Sequence, residues 1–317
     1  MKMLILCGLA VPFALCASTS APTETKLETT QRQDATAQRN EARFNLSALP
    51  EGIRVFRDLA YVTNGHQRQK LDLYLPAQGT NLPLVVWIHG GAWLAGSKER
   101  CRALPLLKDG FAVASINYRL SQHAIFPAQL EDCKAAVRWL RANAHAYGID
   151  PDRIGVWGES AGGHLAALLG TTGDATEFDT GGNLNVSSRV QAVCDWFGPT
   201  DFTQMNKFPA VQDHDAPDSP EARLIGGPIH ENKDKAQRAN PITYVSKDDP
   251  PFLIMHGDKD RLVPLNQSEL LAEALKRAGV QVTFRVVHGA GHGFGAPEHF
   301  SLVRNFFIEH LCRTPSE

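Results

Sequence analysis

Six short runs of the chain are almost wholly apolar: Leu84 to Ile88, Phe111 to Ile116, Ile154 to Trp157, Val190 to Phe197, Phe252 to Met255 and Val282 to Val287. Strands of a parallel sheet are covered by helices on both faces, so they carry apolar residues without alternation, and these six runs are read as such strands. Between them, Pro127 to Ala146, Ala161 to Leu169, Gln267 to Ala278 and Pro297 to Leu311 repeat apolar positions at helical spacing. Gly279 follows the third of these, where a helix most easily ends. Strand alternating with helix predicts an α/β fold with a doubly wound, mostly parallel sheet. Ahead of it, Ile53 to Thr63 and Gln69 to Leu75 alternate apolar and polar residues around Asn64-Gly65, a hairpin signal, and are expected as antiparallel edge strands. From about 201 to 245 the rhythm breaks into clustered Asp, Pro and Gly, as in DHDAPDSPEARLIGGP. This is read as a small insertion, a lid or binding loop as readily as a plain surface excursion.

The first residues, MKMLILCGLAVPFALCAS, place Lys2 before an apolar run that ends in small residues, the layout of a secretory signal peptide spanning residues 1–17. At roughly 15 residues the run is shorter than the ~20 a membrane span needs, so no stable membrane partner is expected. Bulky Leu15 before Cys16 argues against lipid attachment. A secreted or periplasmic destination follows. Residues 18–49, rich in Thr, Gln, Glu and Ala, are expected as a flexible leader, and residues 50–317 as one catalytic domain. Cys101, Cys133, Cys194 and Cys312 remain after the leader; one or two disulfides and buried free thiols are both open.

Composition narrows the partners. Hydrophobic residues make up 43% and charged residues 21%, as in an ordinary globular chain. Lys+Arg 32 against Asp+Glu 34 leaves a net charge of −2, without the basic surface that tracks nucleic acid. The oligomeric state is not legible.

The chemistry concentrates at Gly158-Glu159-Ser160-Ala161-Gly162, where an apolar run ends and a helical pattern begins. A sharp strand-to-helix turn there presents a serine hydroxyl at the top of the sheet; the plainer reading is a helix N-cap serine. A serine hydroxyl needs a base, and the base an orienting carboxylate, in chain order serine, acid, histidine. Asp258 and Asp260 in FLIMHGDKDRLVP and His292 in HGAGHGFG follow later strands in that order. Metal binding by His292 with His288 or His299 is disfavoured by the intervening glycines, and neither a metal nor an organic cofactor is expected. His89-Gly90-Gly91-Ala92-Trp93 follows the strand LPLVVWI, where an oxyanion hole draws its amides; Gly91, Ala92 and Ala161 are the candidate donors. Trp93 and Phe294 are candidate substrate contacts, with core packing as their alternative.

HGGAWLAGSK, INYRLS, FPAQLEDCKAAVRWLRANA, DPDRIGVWGESAGGHLAALLG, GPTDF and HGDKDRLVP together resemble the α/β-hydrolase esterases from about Leu82 to Phe294. The likeness is to the hormone-sensitive-lipase-like branch, and most to bacterial acetyl-xylan and feruloyl esterase-like (BD-FAE-like) proteins. It implies an α/β-hydrolase fold and a serine ester hydrolase acting on short acyl esters or on acetyl or feruloyl esters of plant polysaccharide. The H-G-x-x-D pattern of those relatives selects Asp260 as the acid over Asp258. Ala92 stands where the lipase branch has a third glycine, and Glu159 where it favours aspartate. Two other readings are weighed: a serine peptidase of the prolyl-oligopeptidase type, whose propeller is not expected in this chain, and a non-catalytic binding protein on the same fold.

Overall fold

A computed structural model describes residues 51–312. The expected signal peptide and leader lie outside the described residues. Eight strands form one sheet: β1 (Arg54–Ala60), β2 (Lys70–Leu75), β3 (Leu82–Ile88), β4 (Ala112–Ile116), β5 (Ile149–Glu159), β6 (Ala192–Trp196), β7 (Phe252–Gly257) and β8 (Val282–Val287), in spatial order β1-β2-β4-β3-β5-β6-β7-β8. β1 with β2 and β2 with β4 run antiparallel, and every other pair is parallel. The carboxyl ends of β3, β5, β6, β7 and β8 therefore open onto one rim of the sheet, where open α/β folds place their sites.

The helices are α1 (Ala128–Ala142), α2 (Ala144–Tyr147), α3 (Ala161–Thr171), α4 (Pro220–Ile225), α5 (Lys233–Arg238), α6 (Asn266–Arg277) and α7 (Pro297–Phe307). Leu84, Val86 and Ile88 on β3 face a core shared with Leu130 and Val137 of α1, Leu165 and Leu168 of α3, and Leu271 of α6. Val85 and Trp87 face the opposite core, with Leu104 to Leu107 and Val303 to Leu311. Alternate residues of one strand thus enter two different cores, which is why the run shows no alternation. On the second face Trp87, Trp157 and Trp196 line up across β3, β5 and β6 edge to face, with ring centroids 5.1 and 5.0 Å apart.

Several elements differ from their sequence expectation. Asn64-Gly65 does turn, with Gly65 N–H donating to Val62 O (3.2 Å), but the strands are joined through residues 61–69 rather than by a two-residue hairpin. β2 lies between β1 and β4 and is almost fully buried, so only β1 of that pair is an edge. β8 is the other edge; one of its long sides has no neighbour, so its residues are only half-buried despite their apolar pattern. The segment 201–245 consists of short helical pieces set by caps. Asp201 accepts from Thr203 N–H, Ser219 from Ala222 N–H ahead of Pro220, and Asn240 from Ile242 N–H. Pieces of six residues or fewer are too short to show a period, and their caps are what define them. Among the described residues the cysteines Cys101, Cys133, Cys194 and Cys312 are free, the first three buried, and no disulfide joins them. Among the described residues no helix is long and apolar enough to cross a membrane.

One buried charge cluster ties β2 to the loop after β3. Lys98 Nζ lies 2.7 Å from Asp72 Oδ1 and 3.0 Å from Asp58, with the Asp72 side chain wholly buried. Arg57 and the Asp58 amide complete the shell around Asp72. Removing one member of such a pair leaves a buried charge uncompensated. Lys98→Met is expected to destabilise the fold by about 3 kcal/mol, read as a lowered urea midpoint at unchanged m-value.

Candidate active site

Ser160 sits between β5 and α3 with φ 54° and ψ −124°, a backbone conformation costing about 1–3 kcal/mol for a residue with a side chain. Close packing enforces it. A Cβ on Gly158 would lie 2.1 Å from Gly162 O, and one on Gly162 would lie 2.1 Å from Ile88 O, so both glycines are required by the crossing of strand and helix. Ser160 N–H donates to Trp196 O (2.8 Å), and Ser160 O accepts from His164 N–H (3.0 Å). Its hydroxyl makes no helix cap, against the plainer reading of the motif. Instead Ser160 Oγ lies 2.9 Å from His292 Nε2.

His292 is held from behind. Its Nδ1 is 2.7 Å from Asp260 Oδ2; a carboxylate can only accept, so Nδ1 carries the proton and Nε2 is left to accept the serine hydroxyl. The Asp260 side chain is buried, and its Oδ1 accepts from the Leu262 (2.8 Å) and Val263 (2.9 Å) amides. Burial by itself raises this carboxyl, but hydrogen bonds and charge from His256 and His292 outweigh it and hold Asp260 well below the usual carboxylate range. Asp258 is elsewhere: it bonds His288 (3.1 Å) and the Gly289 amide (2.7 Å) and does not reach His292. The geometry therefore joins Asp260 to the serine and histidine. His288, engaged by Asp258, is turned to that partner, and among the described residues no three His, Cys, Asp or Glu side chains are grouped to hold a metal.

The loop after β3 runs against the serine. A Cβ on Gly90 would lie 2.9 Å from Glu159 O and 3.3 Å from Ser160 Cβ. Gly91 (φ 111°) and Ala92 (φ 55°) turn through the left-handed region, and among the described residues their amides donate to no backbone carbonyl. Ala161 opens α3, where an N–H has no partner within the helix. Gly90 thus packs on the serine turn, Gly91 and Ala92 follow it along the loop, and Ala161 adjoins Ser160 in the chain. His89 anchors this loop: its Nδ1–H donates to Gly90 O (2.7 Å), its Nε2 accepts from Arg68 (3.1 Å), and its ring stacks on Tyr118 at 4.5 Å. Burial pushes the His89 imidazole down to about 4, so it stays neutral at physiological pH.

Trp93, a candidate substrate contact, is only 1% exposed, has φ 55°, and packs its ring on His164 (5.2 Å) and Phe202 (5.6 Å). Phe294 is also buried, with its ring on Trp196 (4.7 Å), Phe197 (5.2 Å) and His299 (5.0 Å). Both make the packing contacts that their alternative reading foresaw. Two neighbours of the site escaped sequence reasoning. His256, i−4 from Asp260, donates to Val263 O (2.8 Å) and lies 3.2 Å from Asp260 Oδ2; the His-Gly-x-x-Asp spacing was its signal. Phe197 places its ring 4.7 Å from that of His292, and nothing in its apolar run marked it out.

A mostly parallel sheet whose reacting groups ride on loops from the carboxyl ends of its strands, with serine on a strained strand-to-helix turn, is that of the α/β-hydrolases. Residues 71–275 match the BD-FAE family, and the chain belongs to it. It is 34% identical over 242 residues to a protein of Mycobacterium tuberculosis described as a probable carboxylic ester hydrolase, LipM, covering 72% of this chain and 55% of that one. The chain thus spans little more than half the length of that relative. Among solved structures it is similar to a truncated carbohydrate esterase from gut microbiota (TM-score 0.78, 38% identity, 84% of this chain and 99% of that chain). It is similar also to a bifunctional GH43-CE protein of Bacteroides eggerthii (TM-score 0.76, 39% identity, 81% of this chain and 38% of that chain).

Behind the turn, Asp195 on β6 is wholly buried, with Oδ1 accepting from the Gly198 amide (2.9 Å) and Oδ2 unpartnered. Burial raises its carboxyl from 3.8 to about 7 against that single hydrogen bond. The unfolded chain loses this proton near 3.8 and the native state only near 7, so between those values the native state binds more protons and stability falls as pH rises. Asp195→Asn keeps the acceptor and removes the titration. Urea midpoints measured across that window should fall less steeply with pH in Asp195→Asn than in the wild type.

Proposed function

We propose that the protein is a serine carboxylic-ester hydrolase working through an acyl-enzyme, with Ser160 as nucleophile, His292 as general base and acid, and Asp260 as the carboxylate that orients it. The observation that carries this reading is the continuous chain Ser160 Oγ to His292 Nε2 (2.9 Å) and His292 Nδ1 to Asp260 Oδ2 (2.7 Å). As Ser160 Oγ bonds the ester carbonyl carbon, its proton passes to His292 Nε2, and Asp260 balances the imidazolium. The carbonyl oxygen gains the charge and is met by the amides of Gly91, Ala92 and Ala161. Collapse breaks the bond to the alcohol, which leaves with the proton from His292. Water then attacks the acyl-serine, giving its proton to His292, and the acid is released as the serine hydroxyl reforms.

The proposed substrates are short acyl esters, among them acetyl or feruloyl esters of plant polysaccharide. Supporting this, solved neighbours are described as a carbohydrate esterase and as a GH43-CE protein. The apolar N-terminal run with Lys2 supports secretion or periplasmic export as the setting for such a substrate. The intact Ser160–His292–Asp260 chain weighs against a binding protein that has lost catalysis.

Ser160→Ala is expected to lower kcat on p-nitrophenyl acetate by roughly 10⁴- to 10⁶-fold. Retained hydrolysis would remove Ser160 from the mechanism. Asp260→Asn is expected to cost about 10⁴-fold in kcat, through loss of the imidazole tautomer, and Asp258→Asn less than about three-fold; the reverse ranking would exchange their roles. Rates on acetylated xylan and methyl ferulate that exceed those on p-nitrophenyl esters would support polysaccharide esters. Rates confined to short p-nitrophenyl esters would set that substrate aside.

A further inference from the structure

Glu159 directly precedes Ser160, and the structure shows what it faces. Glu159 Oε2 lies 2.9 Å from Arg102 Nε, and Arg102 Nη1 donates to Phe294 O at 3.0 Å. The Arg102 guanidinium also lies 5.8 Å from the Trp196 ring, at the strand end whose carbonyl takes the Ser160 amide. One side chain therefore touches the residue next to the nucleophile and the residue two after His292. The loop it holds, from 288 to 296, carries glycine at 289, 291, 293 and 295 and is half-exposed over much of its length. Such a loop has little stiffness of its own.

We propose that Arg102 is a positioning residue that fixes the His292 loop to the serine turn. The bridge comes from one planar fork. A guanidinium donates in two fixed directions, so it can serve a carboxylate with one edge and a carbonyl with another; an ammonium cannot hold both at these distances. Arg102 and Glu159 have side chains 19% and 23% exposed, so the pair is less screened than a surface pair. Without Arg102, the contact that joins the residue before Ser160 to the residue two after His292 is lost.

The inference rests on the roles proposed for Ser160 and His292. Arg102→Met, Arg102→Lys, Glu159→Gln and the double variant Arg102→Met/Glu159→Gln would be assayed on p-nitrophenyl acetate. Active sites would be counted by a p-nitrophenyl phosphonate burst, and Arg277→Met in the exposed Arg277–Glu273 pair would serve as control. Arg102→Met is expected to lower kcat per titrated site by about 10- to 100-fold with KM within about two-fold, as for a misplaced catalytic group. Arg102→Lys should fall between it and wild type. Glu159→Gln should lower kcat per site in the same direction, and the double variant should be no worse than Arg102→Met, because both substitutions break the same contact. Wild-type kcat per site in Arg102→Met, with any lost activity explained by fewer titratable sites, would overturn the proposal and leave Arg102 a stabilising residue only. If Ser160→Ala is inactive while Arg102→Met is normal, this inference fails alone; if Ser160→Ala is active, the functional reading beneath it fails.

Discussion

The structure depends on one steric constraint: the helix that follows Ser160 must leave β5 so sharply that its backbone grazes the end of β3. Gly162 lies against Ile88 O and Gly158 against Gly162 O, with no room for a side chain at either. Given that crossing, Ser160 has no ordinary backbone conformation open to it, and the strain is borne by packing on both sides. Its amide is taken by Trp196 O of β6, so three neighbouring strands fix one residue. The hydroxyl then points to the rim, where the loops from β3, β7 and β8 meet it. Everything chemical in the molecule is placed relative to this turn.

Around the turn, rigidity comes from apolar packing below and polar anchors at the level of the loops. Trp93, Phe202 and His164 form an aromatic support beneath the Gly91–Ala92 turn, and Phe197 and Phe294 flank the histidine loop. Aromatic rings suit this use because they bury large areas with few torsions to freeze. The polar anchors are different in kind. Arg68 with His89, Lys98 with Asp72, and Arg102 with Glu159 each tie a loop to a strand or to another loop by charged or charge-assisted hydrogen bonds. Such contacts add direction, which apolar packing lacks. The site is thus held by shape from beneath and by direction from the side.

Asp260 and Asp195 show how environment separates two carboxyls of one sheet. Both are buried at strand ends, and burial alone pushes both up. Asp260 meets His256, His292 and two amides and stays ionised; Asp195 meets one amide and keeps its proton into the neutral range. The number of donors within reach decides the charge state.

The sequence by itself determined the alternation of strand and helix, the serine turn and the chain order of serine, acid and histidine, because each is written in local pattern: apolar runs, helical spacing, and glycines flanking a single serine. It could not separate Asp258 from Asp260 without help from a family pattern, since both follow the same strand two residues apart. The structure decided it through loop geometry that sends one carboxylate to His292 and the other to His288. Trp93 and Phe294 read equally well as substrate contacts or core, and only the structure shows that both rings are buried against aromatic neighbours. The partnership of Arg102, Glu159 and Phe294 joins residues up to 192 positions apart, a distance no local pattern encodes. Local physics writes the elements and the reactive residues; which side chains meet depends on how the loops cross at the rim of the sheet, and that is fixed only when the whole core packs.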